Sequence, residues 1–209
     1  MKKNIIFRVS LISIIAVLVI GFTVAYYTDN ESHTNSFGVG INQILVELQE
    51  IYVPPNKNDF VPGGHTSYQK EIWAKNTGEI DTYIRIGVNF SDGRAENESY
   101  FSNDGTNWYK ATEYKDHLPE GWVYVDEEEL GGPYYYYTQK VTPNQETPTL
   151  FKKVWTDFDP DEEALPYDIF VYAEAVQTID NQGRELTDST SGGTTTYAAV
   201  ETWRSLMNI

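Results

Sequence analysis

The chain contains no cysteine and only three histidines among its 209 residues. Without thiols there can be no disulfide scaffold, no thiol nucleophile and no cysteine-ligated zinc. Basic residues are scarce: 15 Lys and Arg stand against 31 Asp and Glu, a formal net charge of −16. A chain this acidic lacks the basic face that neutralises phosphates, which argues against nucleic acid as a partner. Aliphatic runs are also rare beyond the first 25 residues. What the chain has instead is aromatic residues, 14% of the total and including 16 tyrosines. That is too much ring content for disorder, and it favours strands over helices.

The first 25 residues differ from the rest. Lys2, Lys3 and Arg8 precede an apolar stretch running through Ile14, Val19 and Phe22, and the segment carries no acid. Thr23-Val24-Ala25 then forms a small-x-small site. A basic start, an apolar middle and a small-residue site are the parts of an export signal, with cleavage expected between Ala25 and Tyr26. The apolar stretch is interrupted by Ser10 and Ser13 and is shorter than the ~20 residues a spanning helix needs. Membrane contact is therefore expected only through the uncleaved signal. Cleavage leaves 184 residues at a net charge of −19, because the segment removes three cations and no anion.

From residue 26 onward the pattern is one of strands separated by turn residues. Ile44 to Leu48 reads as a short strand. Pro54-Pro55 and Pro62-Gly63-Gly64 mark a loop. Tyr68 to Lys75 alternates and leads to a turn at Asn76-Thr77-Gly78. Ile80 to Phe90 alternates best, with Ile84, Ile86, Val88 and Phe90 toward a core and Tyr83, Arg85 and Asn89 away from it. Residues 91–118 are polar and too long for a plain loop, so they should hold a small hairpin or excursion. Trp122–Val125 and Tyr134–Val141, broken by Gly131-Gly132-Pro133, read as a hairpin. Thr149–Trp155 is a further strand. Tyr167–Ile179 is apolar on both faces, as a strand central in a sheet would be. After a flexible break at Ser191-Gly192-Gly193, Thr195 or Thr196 could cap a helix over 195–207, where Ala199, Trp203, Leu206 and Met207 share one face. Strands without intervening helices predict an all-β antiparallel sandwich or jelly roll over 26–209, with one short C-terminal helix.

Catalytic patterns are sparse. His33, His65 and His117 stand alone, without the H-E-x-x-H spacing of a hydrolytic zinc helix. There is no G-x-S-x-G elbow and no glycine-rich phosphate loop. No catalytic residue or cofactor is assigned. Asp157, Asp159, Asp161 and Asp168 are spaced like parts of a calcium loop. However, Glu162 stands where the sharp turn needs glycine, so only weak binding at millimolar calcium is expected. The run Tyr134-Tyr135-Tyr136-Tyr137 could form an exposed stacking ladder, but packing on both faces of a strand is the preferred reading.

The run Ala25-Tyr26-Tyr27-Thr28-Asp29-Asn30-Glu31, followed by Thr34-Asn35-Ser36-Phe37-Gly38-Val39-Gly40, resembles the start of TasA/camelysin (CalY) family proteins. Bacteria export these with a dedicated SipW-type signal peptidase. Further blocks are similar to clostridial-type members: Pro62-Gly63 ahead of Lys70, Lys75-Asn76-Thr77-Gly78 leading to Asp81–Ile86, Tyr134–Tyr137, and Tyr172–Gln177. The resemblance spans about residues 25–178. It implies a secreted protein of the cell surface or biofilm matrix of Gram-positive bacteria, which self-associates into fibres when one subunit's N-terminal segment adds as a strand to the next. The donor here would lie within 26–50, with Phe37, Val39 and Ile41 as alternating anchors. Two rival readings are a camelysin-like secreted metallopeptidase, for which the histidines offer no motif, and a monomeric adhesin or carbohydrate-binding module using exposed rings such as Trp122 and Tyr135.

Overall fold

The computed structural model describes residues 44–54, 67–157 and 167–209. The predicted export signal with Thr23, Ala25 and Tyr26, the anchors Phe37, Val39 and Ile41, and His33, His65, Asp159 and Asp161 lie outside them.

Two antiparallel sheets carry the fold. The strands are β1 (Val46–Val53), β2 (Ser67–Asn76), β3 (Thr82–Phe90), β4 (Ser99–Ser102), β5 (Tyr109–Lys110), β6 (Trp122–Glu127), β7 (Gly132–Tyr137), β8 (Phe151–Thr156) and β9 (Ile169–Gln177), with a small hairpin of β10 (Ser189–Ser191) and β11 (Thr194–Thr196). One sheet has five strands in the order β1-β2-β8-β4-β5, and the other has four in the order β6-β7-β3-β9. This is the predicted all-β sandwich. Between the sheets lies an aromatic-rich core in which Phe101 and Phe151 stack with centroids 4.2 Å apart, flanked by Ile72, Ile84, Ile86, Tyr114, Trp122 and Tyr135.

Local chemistry explains several boundaries. Asn76 ends β2 because its buried side chain closes the turn. Its Nδ2 donates to the carbonyls of Ile80 (2.7 Å) and Val141 (2.8 Å), and its Oδ1 accepts from the Gly78 amide (2.9 Å). The polar stretch after β3 holds a short helix, α1 (Gly93–Asn97), capped by Asp92. It is followed by β4, β5 and a 3₁₀ turn at Ala111–Asp116.

The helix α2 (Ala198–Met207) covers the outer face of the four-stranded sheet. Beneath it Leu130, Tyr134 and Tyr136 meet Val200 and Trp203 in a second apolar cluster. Within that layer the Arg85 guanidinium lies between two rings, its Cζ 3.7 Å from the centroids of both Tyr134 and Trp203. It donates from Nη1 to the Leu130 carbonyl (2.8 Å) and the Tyr136 hydroxyl (2.9 Å), and from Nε to Glu174 (2.8 Å).

Several expectations change. Tyr83 and Arg85, read as facing away from the core, are buried because α2 and its neighbours roof that face of β3. The strand at 169–177 is apolar on both faces for the same reason, and it sits at a sheet edge rather than centrally. β1 extends to Val53, five residues past Leu48. The second strand of the tyrosine hairpin stops at Tyr137. Gly192 and Gly193 (φ +60° and +85°) make the tight turn of the β10–β11 hairpin rather than a loose break, since two positive-φ residues suit the twist of paired strands. Thr195 and Thr196 belong to β11, and the amide of Ala198 at the start of α2 donates instead to Asp188 Oδ1 at 2.7 Å.

Candidate functional site

Sheet edges are where a sandwich can take up another strand. All eight residues of β1 pair with β2 on one side, and among the described residues no strand pairs with β1 on the other. β9 is the edge of the opposing sheet, and β1 approaches it. Exposed apolar side chains gather on these two strands: Ile51 (42% exposed), Tyr52 (50%), Val53 (51%) and Phe170 (56%).

The chemistry beneath this edge is ordered by period-two alternation. Val46, Leu48, Glu50 and Tyr52 share the core-facing side of β1, matched in register with Asn76, Ala74, Ile72 and Lys70 on β2. Apolar pairing gives way to charge toward the end of β1. Lys70 is buried and donates to Glu50 Oε1 at 2.5 Å, and its Nζ lies 5.5 Å from the Tyr52 ring centroid. An inward-pointing charge on an edge strand discourages indiscriminate pairing. Tyr52 meets Tyr68 edge-on at 5.9 Å, the Tyr68 and Tyr167 hydroxyls share a hydrogen bond of 3.2 Å, and Tyr167 stacks on Phe90, which stacks on Phe101. This aromatic column runs from the core to the β1 edge. Burial pushes the Tyr68 hydroxyl well above its ordinary value, with the Tyr167 hydroxyl adding to the effect. Tyr52 is raised in the same direction, first by burial and then by Tyr167, Glu50 and Asp168.

Asp157 and Asp168 take part in backbone pairing, with Glu98 and Ser91 respectively. His117 is exposed and stacks on Tyr109 with centroids 3.7 Å apart. Among the described residues no group of three His, Asp or Glu is placed to hold a metal ion. Trp122 and Tyr135, offered as exposed stacking rings, are only 5% and 7% exposed. Tyr134 and Tyr136 face the layer beneath α2, whereas Tyr135 faces the inter-sheet core, so the tyrosine run packs on both sides. Sequence reasoning missed Ile51–Val53 because the two following prolines drew the strand boundary too early. It missed the Glu50–Lys70 pair because their contact depends on the register of β1 with β2, which no local pattern shows. Among the described residues no helix is long and apolar enough to cross a membrane.

No family model, curated protein or solved structure matches this chain. The TasA/camelysin resemblance rests on its sequence blocks alone.

Proposed function

We propose that this is an exported structural protein of the bacterial cell surface or biofilm matrix, which assembles into fibres by adding the N-terminal segment of one copy to the β1 edge of the next. The observation that carries the reading is the edge of β1 that pairs with no strand among the described residues, with Ile51, Tyr52 and Val53 exposed beside it. Residues 26–43 lead directly into that strand. An added strand would satisfy the amides and carbonyls of β1 that no strand among the described residues pairs, while Phe37, Val39 and Ile41, at alternate positions, supply apolar contacts. Donation from copy to copy is a head-to-tail contact and leads to an open filament. The acidity of the chain works against association, so salt or a lower pH should promote it. SipW-type processing after Ala25 would free the donor segment.

The test is Ile51→Lys with Val53→Lys in the chain starting at Tyr26. Both positions are exposed, so the fold should be retained. Sedimentation should show polymers of the unmodified protein in high salt and a monomer for the double variant. Polymerisation of the double variant at the same salt and concentration would remove β1 as the acceptor.

A further inference from the structure

With no cysteine, the chain has no disulfide to tie its two sheets together. Two tyrosines meet across them instead. Tyr68 lies on β2 of the five-stranded sheet, and Tyr167 stands two residues before β9 of the four-stranded sheet. Their hydroxyls are 3.2 Å apart, although 99 positions separate them in the chain.

Both rings are held from several sides. The Tyr167 ring stacks on Phe90 with centroids 6.1 Å apart. Its hydroxyl also shares a hydrogen bond with Thr156 Oγ1, which in turn meets Ser99 Oγ at 2.7 Å. Tyr68 packs against the inter-sheet core and pairs with Val154 of β8. Phenols fixed hydroxyl to hydroxyl bring together the ring carbons that flank those hydroxyls. These are the carbons that join when two tyrosyl radicals couple, and holding them in place makes the coupling effectively intramolecular.

A third ring gives access. Tyr52 is 50% exposed, and its ring centroid is 5.9 Å from that of Tyr68. These two rings meet edge-on at 88°, so an edge faces a ring plane and the flanking carbons of the pair are not matched. Tyr52 is therefore placed to pass oxidation inward rather than to couple with Tyr68. Burial holds the Tyr68 hydroxyl well above its ordinary value, which keeps it a neutral phenol that loses its electron and proton together.

We propose that Tyr68 and Tyr167 form an oxidative cross-linking site, at which a peroxidase-class oxidant using hydrogen peroxide joins the two rings by a carbon–carbon bond and so ties one sheet to the other. The oxidant takes an electron and a proton from Tyr52, which regains a hydrogen atom from Tyr68. A second oxidation leaves the radical on Tyr167. The carbons flanking the two hydroxyls then bond, and their hydrogens move to the oxygens, which restores both phenols. The chain loses two hydrogen atoms, and one hydrogen peroxide becomes two waters. The bond closes a long loop, which stabilises the fold by restricting the unfolded chain. It needs no second copy, so it stands or falls apart from fibre formation.

The test treats the chain starting at Tyr26, dilute and in low salt, with a plant peroxidase and hydrogen peroxide. The monomer is then isolated, digested and mapped by mass spectrometry. A monomer lighter by two hydrogens is expected, with the peptides of Tyr68 and Tyr167 joined. Its urea midpoint should be higher by at least about 1 M. Tyr167→Phe keeps a ring against Phe90 and should abolish the two-hydrogen loss in the monomer. Tyr52→Phe should slow the joining severalfold without moving its position. Absence of the joined peptide, or cross-links spread over other tyrosine pairs of the monomer, would overturn the proposal. An unchanged midpoint of the joined monomer would overturn the tie between the sheets, and an unchanged rate in Tyr52→Phe would overturn the role given to Tyr52.

Discussion

Replacing Arg85 by alanine should cost more stability than any exposed substitution, because one side chain ties the roof to the sheet. Its side chain is 5% exposed and bonds Glu174 Oε2 from Nη2 at 2.6 Å, in addition to the contacts with Leu130, Tyr136, Tyr134 and Trp203. Removing one member of a buried ion pair costs about 3–5 kcal/mol, and Glu174, at 34% exposed, lets water offset part of that. The stacked rings lose a desolvated cation worth about 2 kcal/mol per good face, and these terms overlap rather than add. A net loss of about 4 kcal/mol is expected, against total stabilities of about 5–15 kcal/mol for such domains. At a urea slope of about 2 kcal/mol/M the midpoint should fall by about 2 M. Arg85→Lys keeps the charge but loses the planar fork and the stacking, so it should fall between the two. Arg85→Met with Glu174→Met should be more stable than Arg85→Ala, since it leaves no uncompensated charge. Equilibrium urea unfolding followed by far-ultraviolet circular dichroism reads all four proteins. A midpoint for Arg85→Ala within about 0.5 M of the parent would refute the keystone role.

Other outcomes follow from the same packing. A Cβ at Gly87 would lie 2.2 Å from Cζ of Tyr172 on the neighbouring strand, so Gly87→Ala must displace that ring and should cost about 1–3 kcal/mol in urea unfolding. Gly87→Ala combined with Tyr172→Ala should then cost less than the sum of the two single changes. Burial raises the hydroxyls of Tyr68, Tyr114, Tyr134, Tyr135 and Tyr136, which ionise more easily in the unfolded chain. Their contribution to stability is therefore fully present below about pH 10 and is lost as pH rises toward the native values. Ultraviolet titration should show these tyrosines ionising together with unfolding, and smooth ionisation of all 16 tyrosines near pH 10 in folded protein would contradict it.

The strands were legible wherever alternation and turn chemistry agreed. Asn76-Thr77-Gly78 marks a turn in sequence and closes one in the structure through the Asn76 side chain. The tyrosine hairpin was legible as a break at Gly131-Gly132 between two ring-rich runs, and the pairing of Trp122 with Tyr137 agrees. Tertiary context was not legible. Nothing local to Arg85 announces that Trp203, more than a hundred residues later, covers it. The same roof makes β9 apolar on both faces, which imitates a central strand. The helix cap was missed because Asp188 reaches Ala198 across the β10–β11 hairpin rather than from the preceding residue. Of the candidate edge, Ile44–Leu48 was visible as a strand, but its exposed end required the register with β2.

Strand addition at β1 is open to test by truncation. Protein starting at Tyr26 and protein starting at Asn42 should be compared by electron microscopy at equal concentration, with high salt to offset the net charge of −19 left once residues 1–25 are removed. Fibres from the longer chain and none from the shorter are predicted. Fibres from the chain starting at Asn42 would contradict donation by the N-terminal segment.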